Sequence, residues 1–317
     1  MLNLVKKAHP VKTTARRVFL KSALLASLSG VLAACGAPLV EELTVIDSQT
    51  VVEKQTVEVT RVIKETVEKE IVVPGATSTR DEDIVEGEGI IWYVDIEHEN
   101  AVNDPQRKAG FDRVRAERTM ICGMSAGVRA ESIHYWEITT ELAAEKNVLA
   151  ICISGNTTDW WEYDFDKFLP LSEILHAGKI PVIAFCGGHQ LLAILFGGSC
   201  DAIRKFEQGE EDPDPGWATG YFKEVGYLPL EILAEDPIFD GCGMPPEFYE
   251  SHYWEVKNVP EVFSVLAKTK DVGVQVMKHK DYLLYGTQFH PEVHDLRHPD
   301  GSVLLKNFFI LAGIRSG

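Results

Sequence analysis

The chain has 317 residues, of which 45% are hydrophobic and 25% charged, and its formal net charge is −17. Such an excess of carboxylates excludes nucleic acid and anionic lipid surfaces as partners, because both are held through a basic face. The length and apolar content suffice for a sizeable core in one large domain or two small ones.

The charge is unevenly spread. Lys6, Lys7, Lys12, Arg16, Arg17 and Lys21 are the only charged residues before Glu41. They lead into an apolar run from about Ala23 to Ala34. Spanning a bilayer takes about 20 apolar residues, so this run instead suits the h-region of a signal peptide. The stretch "ARRVFLKS", with Arg16-Arg17 followed by Phe19-Leu20-Lys21, resembles a twin-arginine export signal. "LAAC", Leu32 to Cys35, resembles a lipobox whose cysteine is diacylated and becomes the new N-terminus. Residues 1–35 therefore read as a lipoprotein signal ending at the lipidation site Cys35. The expected location is the extracytoplasmic face of a bacterial membrane, with the lipid anchor as the membrane partner.

Residues 36–88 are rich in Val, Thr, Glu and Lys. Within them "TVVEKQTVEVTRVIKETVEKEIVVP" (Thr50 to Pro74) repeats at about five residues, a period that fits neither the 3.6 of a helix nor the 3.5 of a heptad. The reading is an extended or disordered spacer, with a partner-binding strand or coiled coil as the alternative. "PGATSTRDEDIVEGEG" then reads as a flexible joint.

From Gly89 the pattern becomes that of a folded domain. "GIIWYVDI" predicts a first strand. "DPQRKAGFDRVRAERTMI" predicts a helix with Asp104 as N-cap and Pro105 at the first helical position. A second strand is expected in "GVRAESIHY", a helix in "TTELAAEKN", a third strand in "VLAICISG", a helix in "FDKFLPLSEILHAGK" and a fourth strand in "IPVIAFC". Strands alternating with helices, several of them continuously apolar, imply a three-layer α/β domain with an open, mostly parallel sheet covered on both faces. After about Asp201 short strands and turns take over, and "GSVLLKNFFILAG" closes the chain as a helix. One domain thus covers 89–317.

Ligands of open parallel sheets sit at the carboxyl ends of the strands, and Cys186 is the last residue of such a strand. A cysteine at a strand-to-helix turn is lifted into the open, and the helix N-terminus beneath it favours negative charge. Gly188 keeps side chains from colliding at so sharp a turn, as in a nucleophile elbow. In "YGTQFHPEV", His290 and Glu292 are two residues apart in an extended segment, which points both side chains to one face. Glu292 can then orient the imidazole of His290 as a general base.

Together these stretches resemble the class I glutamine amidotransferase family. The elbow Ala184-Phe185-Cys186-Gly187-Gly188-His189-Gln190 is similar to its G-x-C-x-G-x-Q motif, and Gln288-Phe289-His290-Pro291-Glu292 to its Q-F-H-P-E motif. "SHYWEVKNVPEVFSVLAKT" is similar to the family segment before the last strands. The resemblance implies a flavodoxin-like, single-domain fold with Cys186 as nucleophile, His290 as general base and acid, and Glu292 as its orienter. It also implies oxyanion donors at the backbone N–H groups of Gly187 and Asn156, and a glutamyl pocket lined by Gln190, Ser251, His252 and Tyr253. It needs no metal or other cofactor.

The sequence departs from the family pattern at Ala184, where a glycine is usual, and in "SGNTTDWW", which lacks the second glycine and proline of a Gly-Gly-Pro loop. Trp160, Trp161, Tyr253 and Trp254 are expected to make the pocket rim bulky and aromatic. "DIEHEN", with Asp95, Glu97, His98 and Glu99, reads as a solvated acidic loop ahead of an ammonium or metal site. Cys122, Cys152, Cys200 and Cys242 show no zinc spacing. The function expected is cysteine-dependent hydrolysis of glutamine or another small γ-glutamyl amide through a thioester, in an amidohydrolase outside the cytoplasm. The alternatives are a γ-glutamyl peptide hydrolase and a non-catalytic ligand-binding lipoprotein of the same fold. A protein partner over the active-site opening stays open.

Overall fold

A computed structural model describes residues 89–316. The signal stretch with Cys35 and the spacer 36–88 lie outside the described residues. Twelve strands are present in chain order: β1 Ile90–Asp95, β2 Ala130–His134, β3 Val148–Ile153, β4 Val182–Phe185, β5 Ser199–Ala202, β6 Glu224–Pro229, β7 Glu231–Ile232, β8 Glu247–His252, β9 Trp254–Asn258, β10 Phe263–Lys268, β11 Val276–His279 and β12 Leu284–Thr287. The α-helices are α1 Glu99–Val102, α2 Lys108–Ala126, α3 Thr140–Glu145, α4 Leu169–Ala177, α5 Gly187–Leu195 and α6 Asp300–Leu311.

Eight strands form one sheet in the order β2-β1-β3-β4-β12-β11-β10-β7. The first five run parallel and the remaining pairings are antiparallel. β1, β3 and β4 are buried almost throughout, as strands covered on both faces must be, and this is why their sequences run apolar without alternation. One face packs Trp92, Val94, Ile151, Phe168, Leu171 and Leu191. The other packs Ile91, Ile183, Phe185, Tyr285, Phe308 and Phe309. Two ribbons, β5 with β9 and β6 with β8, stand apart from the main sheet. The expected three-layer, mostly parallel α/β domain is the fold observed.

Helix boundaries differ from the sequence reading in instructive ways. Asp104 does cap a turn: its carbonyl accepts from Arg107 N at 3.0 Å and Lys108 N at 2.8 Å, and its Oδ1 accepts from Gln106 N at 2.8 Å. The α-helix itself starts at Lys108 and runs five residues past Ile121. It stops at Gly127, whose φ of 70° is the left-handed conformation of a helix terminus. The acidic stretch after β1 is neither solvated nor wholly loop. Asp95, Glu97 and His98 are buried, and α1 begins at Glu99 with His98 Nδ1 accepting from Asn100 N at 3.1 Å. Among the described residues no helix is long and apolar enough to cross a membrane.

Candidate active site

β4 ends at Phe185, and Cys186 occupies the turn into α5 with φ 47° and ψ −105°. That conformation is rare for a residue with a Cβ. It is held from both sides, because Cys186 N donates to Thr287 O at 2.7 Å and Gly188 N to Ser154 O at 3.0 Å. Gly188 has to be glycine, since a Cβ there would lie 2.9 Å from the carbonyl oxygens of Ile153 and Ser154.

His290 and Glu292 follow β12. His290 Nδ1 bonds Glu292 Oε1 at 2.8 Å, and the His290 backbone is fixed by donating to Tyr249 O at 2.9 Å. Gly155 sits between the two halves. A Cβ on it would fall 3.0 Å from His290 Cε1 and 3.4 Å from the Cys186 Cβ, so a larger residue would push imidazole and thiol apart. Burial works against the charged form of His290, yet the neighbouring Glu292 carboxylate and Cys186 sulfur outweigh it, and its pKa is raised well above the usual histidine value. Gln288 Nε2 lies 3.7 Å from Sγ, and Ser251 O lies 3.9 Å from it.

The proposed oxyanion donors lie side by side. Gly187 is the first residue of α5, and a Cβ on it would come within 3.0 Å of Asn156 N. The loop carrying Asn156 is anchored by a residue whose role the sequence did not disclose. Glu97 accepts from Thr157 N at 2.6 Å and from Thr158 Oγ1 at 2.7 Å. Asn156 Nδ2 donates to Thr158 O at 2.6 Å and to the Tyr163 hydroxyl at 3.2 Å, which donates in turn to Ile96 O at 2.9 Å. These bonds rigidify a loop that has no proline. The signal for Glu97 was its place two residues beyond the carboxyl end of β1.

Of the pocket residues, Ser251 and Tyr253 line the cleft beside Cys186. Gln190 lines it too, but its amide is engaged: Oε1 accepts from Trp160 Nε1 at 2.9 Å, and Nε2 donates to Trp254 O at 3.1 Å and Gln288 Oε1 at 3.2 Å. His252 is held between two carboxylates, with Nε2 at 3.0 Å from Glu224 and 3.1 Å from Glu250, while Nδ1 donates to Trp254 O at 2.8 Å. Burial opposes its charge, but the bonds to Glu224 and Glu250 raise its pKa to about 10. Among the described residues these three form the one trio of possible metal ligands with donor atoms within 4.8 Å of one another. Nε2 of His252, within hydrogen-bonding distance of both carboxylates, already occupies the point where they converge.

The aromatic rim is composed differently from the sequence expectation. Trp160 is buried beneath its own loop, whereas Trp161 is 67% exposed and leans on Trp254 with ring centroids 5.7 Å apart. Tyr253 donates its hydroxyl to Asp159 and meets Trp217 edge-on at 5.4 Å. Trp217, unnoticed in the sequence, completes the rim of a cleft of about 620 Å³. The other four cysteines described are unbridged: Cys122 and Cys152 are buried, and burial pushes the thiols of Cys200 and Cys242 up to about 12.

A cysteine on a strained turn beside a carboxylate-backed histidine gives a cysteine-histidine-glutamate cluster on a flavodoxin-like sheet. The chain belongs to the glutamine amidotransferase class-I family, whose sequence model matches residues 111–312. It is 38% identical over 135 residues to a subunit of the glutamine-hydrolysing GMP synthase of Pyrococcus abyssi, covering 43% of this chain and 62% of that protein. The corresponding GMP synthase subunit of Methanothermobacter thermautotrophicus is 37% identical over 137 residues, covering 43% and 63%. The chain thus spans less than two thirds of the length of these curated relatives. A solved structure from Thermoplasma acidophilum, described as that of a GMP synthase subunit, superposes with a TM-score of 0.52 at 21% identity, over 72% of this chain and 95% of that one. It shares the fold.

Proposed function

We propose that the protein hydrolyses glutamine or another γ-glutamyl amide by way of a γ-glutamyl thioester. The observation that carries this reading is His290, bonded to Glu292 at 2.8 Å and set beside Cys186 with only Gly155 between them. The Cys186 thiolate adds to the γ-carbonyl, and the oxyanion is met by the N–H groups of Gly187 and Asn156. His290 gives its proton to the amine nitrogen as the C–N bond breaks. A water, deprotonated by His290, then cleaves the thioester, which releases the γ-carboxylate and restores the thiol. Glu292 keeps the proton of His290 Nδ1 in place, so that Nε2 serves the reaction. The glutamine-hydrolysing activity in the names of the relatives supports glutamine as a substrate.

The test is turnover of glutamine with ammonia followed. Wild type is expected to release glutamate and ammonia, Cys186→Ser to lose turnover while keeping its fold, and a glutamine-like chloroketone to label Cys186 ahead of the other cysteines. Equal labelling of every accessible cysteine, with no turnover, would sink the reading.

We further propose that the protein works on the outer face of the membrane, exported by the twin-arginine-like segment and held there by lipid on Cys35. The order and spacing of "ARRVFLKS" and "LAAC" support this. Mass spectrometry of membrane-extracted protein should find a diacylated Cys35 as the first residue. A mature chain that still starts at Met1 would refute it.

A further inference from the structure

The α2 wall of the cleft has no task in hydrolysing free glutamine, whose leaving group is ammonia. Arg107, Phe111, Val114, Arg115 and Arg118 recur at helical spacing along one face of α2, and all five line the cleft. That face adjoins the segment that carries His290 and Glu292. His290 must hand its proton to the departing nitrogen, and α2 abuts the segment that holds it, since Arg118 Nη1 donates to the backbone carbonyl of Glu292 at 2.5 Å. Ser251 and Tyr253, the residues expected to meet the glutamyl half, line the same cleft from the end of β8.

Charge sets the chemistry that this wall can accept. Arg115 is neutralised, at 3.2 Å from Asp95 and 2.5 Å from Asp112. The carboxylates of Glu97, Asp159 and Asp214 also line the cleft, and each is engaged by a neighbouring donor: Thr157 N and Thr158 Oγ1 on Glu97, the Tyr253 hydroxyl on Asp159 and Gly216 N on Asp214. Two guanidinium groups on this wall form no ion pair with any carboxylate of the cleft. Arg118 has its nearest carboxylate in the exposed Glu117, 3.8 Å away. Arg107 has no carboxylate partner among the described residues; it donates to Thr157 Oγ1 at 3.0 Å and lies over the Phe111 ring at 4.7 Å. Between these cations stand Phe111 and Val114, which offer apolar surface. The cleft, at about 620 Å³, is of the size that encloses ligands far larger than one amino acid.

We propose that the α2 wall is a subsite for a carboxylate on the amine half of the substrate, so that the preferred substrates are γ-glutamyl amino acids or peptides. This rests on the amidase reading above. The C–N bond of the γ-amide breaks, the amino acid leaves with its nitrogen protonated by His290 and its carboxylate held by Arg118 and Arg107, and water completes the hydrolysis. The side chain of the leaving amino acid lies along Phe111 and Val114.

The test compares kcat/KM of the full chain for γ-glutamyl-alanine, for γ-glutamyl-alaninamide, which lacks only the charge, and for glutamine. A charge-assisted contact to the carboxylate should favour the acid over the amide by about tenfold or more. Arg118→Met and Arg107→Met should each bring that ratio toward one. Because the ratio cancels any general damage to the triad, Arg118→Met remains informative although its side chain touches Glu292, and Arg107→Met checks it from a residue that does not. A wild-type ratio near one, with glutamine still turned over, overturns the subsite and leaves the amidase reading standing. A tenfold preference that survives both substitutions overturns it as well. Failure to hydrolyse any of the three amides overturns the amidase reading itself.

Discussion

The φ of 47° at Cys186 places a side chain where glycine would sit more comfortably, and such strain costs about 1–3 kcal/mol. The turn keeps it because Thr287 O and Ser154 O hold the backbone on both sides. Cys186→Gly should therefore be more resistant to denaturant than Cys186→Ala by about 1 kcal/mol, the relief of strain exceeding the extra entropy that glycine loses on folding. An alanine variant as stable as the glycine variant in urea titration would show that the turn is unstrained. Glu97 is the second residue whose place in the chain hides its work. Replacing it by Gln sets an NH2 donor against either Thr157 N or His98 N, both of which donate to the carboxylate, so the Asn156 loop should loosen. The expected effect is a fall of about 10–100-fold in kcat with KM changed little, as when a catalytic group is misplaced by a fraction of an ångström or more. Unchanged kcat in Glu97→Gln would mean that the loop is held without it.

At the scale of elements, β8 ties the two halves of the site together. Tyr249 O fixes His290 N, Ser251 O faces Cys186 Sγ, and His252 ties the strand to β6 through Glu224. Burial alone would lower the pKa of His252, but Glu224 and Glu250 lift it from about 6.5 to about 10. A raised folded-state value gives stability that is full below pH 6.5 and is lost as pH climbs through 10. Glu250, whose pKa burial raises, acts in the same direction from lower pH. Wild type should thus lose about 2–4 kcal/mol between pH 6.5 and 10, and His252→Gln should flatten that slope. Denaturant titrations at the two pH values check it, and equal slopes in the two proteins would rule the clamp out. Much of this layout was legible beforehand. β1, β3 and β4 announce themselves as unbroken apolar runs, and Cys186 and His290 stand at the ends of strands, where a parallel sheet gathers its chemistry. What was hidden depends on distant partners. Thr157 and Thr158, sixty residues on, decide that Glu97 is buried. Trp160, Trp254 and Gln288 decide that Gln190 spends its amide on the scaffold. The start of α2 was misread because Asp104-Pro105 serves a turn as readily as a helix.

At the scale of the whole molecule, the boundary of the folded part can be tested directly. The family match begins at residue 111, yet the structure argues that the domain begins earlier. β1 lies inside the sheet, paired with β2 on one side and β3 on the other. Ile90, Ile91, Trp92, Tyr93 and Val94 are all at most 4% exposed, and burying side chains of that kind contributes about 1.5–3 kcal/mol each. Losing β1 would expose the edges of β2 and β3 and remove Glu97 as well. Gly89 already packs into the domain: its Cβ position lies 2.5 Å from Asn147 O, and Ile90 N donates to that same oxygen at 3.2 Å. A chain beginning at Gly89 should accordingly melt cooperatively within about 2 °C of the chain that includes the spacer and keep its kcat/KM, because the sequence of residues 36–88 carries no core-forming pattern. A chain beginning at Phe111 should show no cooperative transition. Loss of the transition on cutting at Gly89 would place part of the fold upstream, and a folded Phe111 chain would show that the sheet closes without its second strand.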